Sequence, residues 1–217
     1  MEEKILHVGH SPDPDDAFMF YGLAFNYVKI DDYQIQHILE DIQSLNLRAL
    51  KGELEVTAIS AHVYPYVEDK YWIMRTGASM GIGYGPVLIS KNDYSIESLK
   101  GKKIAHPGDF TTATLLTKIY LDDFIPVPMP FDQIMNAVKE GSVDAGVIIH
   151  EGQLTYESLG FKKILDFGKI WMDEYRLPLP LGLDVVRKDL GLELVKKISE
   201  GLRKSIEFGY KNLTEAV

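Results

Sequence analysis

Asp144-Ala145-Gly146-Val147-Ile148-Ile149-His150-Glu151 is the stretch of the chain that decides its fold. A short, continuous, β-branched apolar run reads as a strand covered on both faces, as in a parallel sheet. Its abrupt end in two ionisable residues places them at the carboxyl edge of the sheet, the side on which open α/β sheets take their ligands. An imidazole there can exchange a proton near neutral pH, which makes His150 the first candidate for a general base. The competing reading is structural: a histidine that ends a strand can simply hydrogen-bond a loop.

Upstream, strand-like and helix-like segments alternate, the pattern of an α/β protein. Residues 4–9 read as a strand, Ser11-Pro12-Asp13-Pro14-Asp15-Asp16 as a loop, and the apolar stretch 17–25 as the helix that this Pro/Asp start announces. A strand is expected over 33–39, a helix over 42–51 closed by Gly52, a strand over 56–59 followed by Ser60, and a helix over 61–67 despite Pro65. Gly81-Ile82-Gly83-Tyr84-Gly85-Pro86 has the glycine density of a phosphate loop. It lacks the Lys-Ser/Thr ending and the strand–loop–helix setting, so a turn or hinge is the better reading.

Around the decisive strand a second unit takes shape. Strand 103–106, loop Pro107-Gly108-Asp109-Phe110, helix 112–122, strand 126–129, helix 132–139 and strand 145–149 follow one another, and the proline-spaced Arg176–Gly182 segment reads as an extended connector. Two crossings, near 88–92 and 177–182, predict an outer lobe of residues 1–90 plus 182–217 and an inserted inner lobe of 91–181. The expected architecture is thus two α/β lobes around a central cleft, with a hinge.

Composition narrows the function classes. The chain has 217 residues, 46% hydrophobic and 25% charged, enough to bury a core and too apolar for disorder. Twenty-three Lys and Arg against 32 Asp and Glu give a net charge of -9 with no basic run, which argues against a nucleic-acid partner. Without cysteine, disulfides, thiolate metal sites and thiol catalysis are excluded. Met1-Glu2-Glu3-Lys4-Ile5 carries no apolar signal region and no later stretch has the length of a membrane span, so the expected location is the cytoplasm.

Three positions converge on the expected cleft: Ser60 after a strand, Thr111-Thr112-Ala113 at a helix start, and His150. A helix start presents amides without intrahelical partners and the positive end of the dipole, a natural place for an anion. Thr111 or Thr112 also fits an ordinary N-cap, and the two roles are compatible. Asp13, Asp15 and Asp16 suggest a metal, but the twelve-residue calcium-loop pattern is missing and the flanking prolines favour a capped turn. His7, His10, His37, His62 and His106 lack metal-motif spacing; His7 and His37 fall on strands, and His62 and His106 are candidates for supporting positions behind the site.

Four segments together resemble one family over nearly the whole chain. Ser11-Pro12-Asp13-Pro14-Asp15-Asp16-Ala17-Phe18-Met19-Phe20, Leu39-Glu40-Asp41-Ile42-Gln43-Ser44-Leu45-Asn46, Ile149-His150-Glu151-Gly152-Gln153-Leu154-Thr155-Tyr156 and Leu177-Pro178-Leu179-Pro180-Leu181-Gly182 are similar, in this order, to the 1,4-dihydroxy-6-naphthoate synthases of the futalosine route to menaquinone. The family opening often has Cys, Asn and Thr where this chain has Asp13, Asp15 and Ala17, and the lysine of some relatives near Ala58 is absent. The resemblance implies a periplasmic-binding-protein-like (type II) fold and a carbon–carbon lyase acting on cyclic dehypoxanthinyl futalosine, with no metal or organic cofactor. It further implies His150 as proton acceptor and a small-molecule carboxylate substrate bound at Ala58, Ile59 and Ser60 of one lobe and Thr112 and Ala113 of the other. The rival readings are a chorismate dehydratase of the same pathway and a non-catalytic solute-binding protein. The opening segment and Leu177–Gly182 favour the naphthoate synthase over the first, and the His150-Glu151 pair favours catalysis over the second.

Overall fold

The computed structural model describes residues 4–216. In chain order its main elements are β1 (Lys4–His10), α1 (Pro14–Ala24), β2 (Tyr33–Leu39), α2 (Ile42–Lys51), β3 (Val56–Ser60), β4 (Tyr71–Gly81), β5 (Val87–Ser90) and β6 (Lys103–His106). There follow α3 (Thr112–Tyr120), β7 (Ile125–Pro128), α4 (Ile134–Glu140), β8 (Ala145–Ile148), α5 (Gly152–Thr155), β9 (Lys162–Asp166), α6 (Phe167–Tyr175), β10 (Leu179–Arg187) and α7 (Leu192–Lys211). The chain divides into two compact units, one taking the chain to Ser79 and resuming at Gly182, the other formed by Met80–Leu181.

The first unit is built on a sheet of strand order β2-β1-β3-β10-β4. β1 runs parallel to β2 and to β3, connections that need helical crossovers, and α1 and α2 supply them. β10 returns antiparallel to β3, with Gly182 opposite Ser60 and Asp184 opposite Ala58. The core joins Leu6 and Val8 of β1, Phe20 and Leu23 of α1, Val56, Val186, and Ile198 and Leu202 of α7. Removing each of these side chains from water is worth about 1.5–3 kcal/mol. The ends of α2 are set locally: the Asp41 carboxylate accepts from the amides of Gln43 and Ser44, and Gly52 at φ 73° closes the helix in the left-handed conformation.

The second unit repeats the principle with strand order β7-β6-β8-β5-β9. Side chains of its central strands alternate between two cores. Leu88 and Val147 join Leu116 and Phe167, whereas Val87, Ile89 and Ile148 join Ile134 and Val138. Helices cover both faces, which is why these strands are apolar without interruption.

Several expectations are corrected here. Val87–Ser90 hydrogen-bonds antiparallel to both β8 and β9, so it belongs inside the second sheet and the chain crosses between units before it rather than near Leu88–Asn92. Residues 61–66 form a 3-10 helix, because Pro65 has no amide to sustain an α-helical ladder. Part of the glycine-rich segment lies in β4, a strand not expected from the sequence, and only Ile82 onward forms the turn. The Leu177–Gly182 connector is extended as expected, yet from Leu179 it is already a hydrogen-bonded strand. β9 and α6 are further elements of the second unit, and α7 covers Leu192–Lys211.

Candidate active site

In the first unit the candidate positions lie at or beside the carboxyl ends of β1 and β3. His10 ends β1, and the Ser11 amide donates to Asp16 Oδ2 at 2.7 Å while Ser11 Oγ donates to Asp13 Oδ2 at 2.8 Å. Asp13 stands at the N-cap position of α1 with Pro14 as first helical residue, but its carboxylate serves the loop and not the helix amides. The loop is thus held by its own carboxylates, in line with the turn reading of the Asp13–Asp16 segment. Burial pushes the Asp16 carboxyl up to about 6, against the lowering influence of the Ser11 amide.

Ser60 ends β3 in a buried polar pair with Asn46 of α2. Asn46 Nδ2 donates to Ser60 Oγ at 3.0 Å, and the Ser60 amide donates to Asn46 Oδ1 at 2.8 Å. Both the nitrogen and the oxygen of the Asn46 side-chain amide help to fix this strand end, a service the sequence did not disclose. Ala58 is buried too, and Ile59 has no exposed surface at all, main chain included.

In the second unit α3 begins immediately after Thr111, whose Oγ accepts from the Thr114 amide at 3.2 Å as an N-cap. Thr112 and Ala113 are the first two helical residues, positions whose amides a helix does not bond internally. Thr112 Oγ1 donates to the Leu181 carbonyl at 2.8 Å, tying the helix start to the chain that leads out of the unit. Behind it, His106 at the end of β6 meets Thr114 Oγ1 through Nδ1 at 3.0 Å, and Thr114 Oγ1 also donates to the Gly108 carbonyl at 2.7 Å. His106 is therefore a supporting residue of the helix start. Burial holds its imidazole below the usual histidine range.

His150 lies two residues beyond β8, in a turn and at φ 54°. A left-handed conformation is uncommon for a side chain with a Cβ, although histidine adopts it more readily than most. Its ring stands edge-on to Phe131 at 5.1 Å. The Gln153 amide spans the turn: oriented with nitrogen toward the Gly85 carbonyl (2.7 Å) and oxygen toward the His150 amide (3.3 Å), it satisfies both. Thr112, Ala113 and His150 thus sit on strand and helix ends of one unit, while Ala58, Ile59 and Ser60 sit on a strand end of the other.

A sequence model of the family described as menaquinone biosynthesis matches residues 6–217. The chain belongs to this family. Among its relatives, the 1,4-dihydroxy-6-naphtoate synthase of Thermus thermophilus is 37% identical over 214 residues, covering 99% of this chain and 78% of that protein. The enzyme of the same name from Streptomyces coelicolor is 34% identical over 212 residues, covering 95% and 74%. A crystal structure of an Archaeoglobus fulgidus protein superposes with a TM-score of 0.92 at 48% identity, covering 98% of this chain and 79% of that one. The MOPS-bound alkanesulfonate-binding protein of Xanthomonas axonopodis pv. citri matches with a TM-score of 0.73 at 14% identity, covering 100% and 78%. That likeness concerns the fold: the menaquinone-biosynthesis family member described here has the two-lobed α/β architecture of periplasmic solute-binding proteins.

One residue of the first unit escaped the sequence reading. Asp184 of β10 is buried opposite Ala58, and its Oδ2 has no hydrogen-bond partner among the described residues. Its signal was present as a lone acid inside the apolar run Leu183-Asp184-Val185-Val186, hidden because the preceding prolines drew the segment into a connector.

Proposed function

We propose that this chain is a 1,4-dihydroxy-6-naphthoate synthase that converts cyclic dehypoxanthinyl futalosine into 1,4-dihydroxy-6-naphthoate as a carbon–carbon lyase, acting in the cytoplasm. The observation that carries this reading is 37% identity with a synthase of that name over 99% of the chain. Among the described residues no helix is long and apolar enough to cross a membrane.

In this reading the start of α3 receives the substrate carboxylate. The amides of Thr112 and Ala113 and the helix dipole stabilise negative charge, while the Thr111 cap and the His106–Thr114 contact keep the helix start rigid before the ligand arrives. Ser60, fixed by Asn46 at the β3 end, is the polar group that the first unit offers a ligand. His150 removes a proton and starts carbon–carbon cleavage, its turn braced by the Gln153 contact with its main-chain amide and its ring set against Phe131. Positioned base catalysis of this kind is worth roughly 10²–10⁴ in rate. Formation of the aromatic ring supplies driving force of its own.

The test is incubation of the purified protein with cyclic dehypoxanthinyl futalosine and mass spectrometry of the products. Appearance of the naphthoate supports the reading. Turnover of chorismate with no naphthoate from the first substrate would replace it by the dehydratase reading, and tight binding without turnover of either would replace it by a binding protein.

A further inference from the structure

His106 is a histidine with one ring nitrogen that the fold leaves without a partner. It ends β6 at 0% exposure, and its Nε2 is buried with no hydrogen bond among the described residues. The ring lies against the first turn of α3, where Nδ1 is 3.0 Å from Thr114 Oγ1. The loop before the helix fixes the direction of that contact. The Gly108 carbonyl can only accept, and it stands 2.7 Å from Thr114 Oγ1 and 2.9 Å from Thr111 Oγ1, so both hydroxyl hydrogens point to it. Thr114 then has no hydrogen left for His106, and Nδ1 is the donor. The neutral ring therefore carries its proton on Nδ1, and Nε2 is a bare lone pair.

An acceptor buried without a donor is costly to keep and calls for a reason. Asp109 Oδ1 lies 3.8 Å from Nε2, on the loop that leads into α3, and a carboxylate has no hydrogen to offer it. A proton placed on Nε2 would meet that carboxylate directly. Lys118, in the last turn of α3, acts against a charge on the ring. The flanking strands β7 and β8 carry no charged residue, β6 itself has only Lys103 at its opposite end, and α4, packed on β6, has Lys139 and Glu140 in its last turn.

We propose that an anion bound at the start of α3 draws a proton onto His106 Nε2, so that this site takes a carboxylate ligand together with a proton. The inference rests on the reading of the α3 start as the carboxylate seat. In the unliganded protein burial, the largest influence on the ring, keeps it neutral at pH 7. A negative charge at the first turn, against which the ring lies, favours the imidazolium. The proton comes from water, and the only bond formed is N–H. The new Nε2–H faces Asp109 while Nδ1–H goes on donating to Thr114, so the loop and the helix start keep their form in both states. The bound anion thus gains a cation behind the helix amides, and a neutral ligand gains none.

The probe is 2-naphthoate, ionised throughout the range used, with 2-naphthamide as its neutral counterpart. Calorimetry of the whole chain in two buffers of different ionisation enthalpy counts the protons taken up. At pH 6, 2-naphthoate should bring at least about 0.3 proton per site, and it should bind about 3- to 10-fold more tightly at pH 5.5 than at pH 7.5, whereas the amide should do neither. His106→Asn keeps a donor where Nδ1 stood and has no Nε2. It should bind 2-naphthoate at pH 7.5 within about 3-fold of the parent and take up no proton. Asp109→Asn, which removes the carboxylate facing Nε2, should lower the uptake. Binding of 2-naphthoate without proton uptake, an uptake unchanged in His106→Asn, or no binding at all overturns the proposal. If binding is proton-linked through His106 and cyclic dehypoxanthinyl futalosine is not turned over, the synthase reading falls and the proposal stands. Turnover of that substrate with 2-naphthoate bound at no gain of protons does the reverse. Should His106→Asn fail to fold, as judged by circular dichroism, Asp109→Asn carries the comparison, and an uptake equal to the parent's overturns the proposal.

Discussion

His10 and His37 share a hydrogen bond whose direction is fixed by the backbone. His10 Nδ1 lies 3.1 Å from the Ser11 carbonyl, which can only accept, so the proton of the neutral His10 ring is on Nδ1. Its Nε2, 2.9 Å from His37 Nδ1, must then accept from His37. The His10 ring also stacks on Phe20 at 4.4 Å, which anchors this chain of imidazoles to the core beneath the Ser11–Asp16 loop. Protonation of His10 would break the pattern.

Acid should therefore loosen the first unit through His10. Burial lowers its pKa from 6.5 to about 4, so between those values the folded chain binds fewer protons than the unfolded one. The contribution is complete above pH 6.5 and is lost as pH falls toward 4, an effect on the order of 3 kcal/mol. Asp16 and Asp184, with raised values, act in the opposite direction, so the comparison must be made against a variant. Urea unfolding from pH 4 to 7 should show His10→Phe less stable than the parent at pH 7 by about 1–3 kcal/mol, with a gap that narrows in acid. Parallel pH dependences for the two proteins would contradict the assignment.

His150→Ala should lose turnover while keeping most of its affinity for substrate. Removal of a base affects the transition state more than ground-state binding, so kcat should fall by about 10²–10⁴ with KM nearly constant. The residue stands at φ 54°, a strained conformation for alanine, so His150→Asn, which tolerates it better, is the companion variant. Near-parental kcat in both would remove His150 from the mechanism.

The helix start of α3 can be tested without breaking the helix. Thr112 is its first residue, where proline is favoured, and Thr111 already has φ −77° and ψ 149°, the conformation that precedes proline comfortably. Thr112→Pro thus removes the amide and the hydroxyl together, and Thr112→Val removes only the hydroxyl that donates to Leu181. Calorimetry should show the carboxylate ligand weakened more by proline than by valine, and a neutral analogue weakened equally by the two. Equal losses for both ligands would assign the effect to distortion.

What the sequence disclosed was set by how local the cause was. β8 was legible because a strand covered on both faces must be apolar throughout, and α2 because Asp41 and Gly52 cap it from within the segment. The sheet to which β5 belongs was not legible, since pairing with β8 and β9 is decided by residues some sixty to eighty positions away. β4 was missed because Gly77 and the exposed residues of Tyr71–Gly81 erase any period of two. At the site, His150, Ser60 and the Thr111 cap could be placed from strand and helix ends. The Asn46 amide that fixes Ser60, the Gln153 bridge to His150 and the carboxyl of Asp184 arise from contacts across the fold.

Gly77 offers the most direct structural test of how Asp184 is housed. Two separate costs meet at this position. Its φ of 86° strains any residue with a Cβ, by about 1–3 kcal/mol, and an added methyl would collide with Asp184 Oδ2. Gly77→Ala should consequently lose about 2–4 kcal/mol of stability in urea unfolding. Shortening the partner as well separates the two causes. In Gly77→Ala combined with Asp184→Ser the collision is relieved and the backbone strain remains, so the double variant should regain about 1–2 kcal/mol relative to the sum of the single changes. Strictly additive losses would mean that Asp184 can turn away from β4 at no expense, and that the space beside Gly77 is not what holds its carboxyl in place.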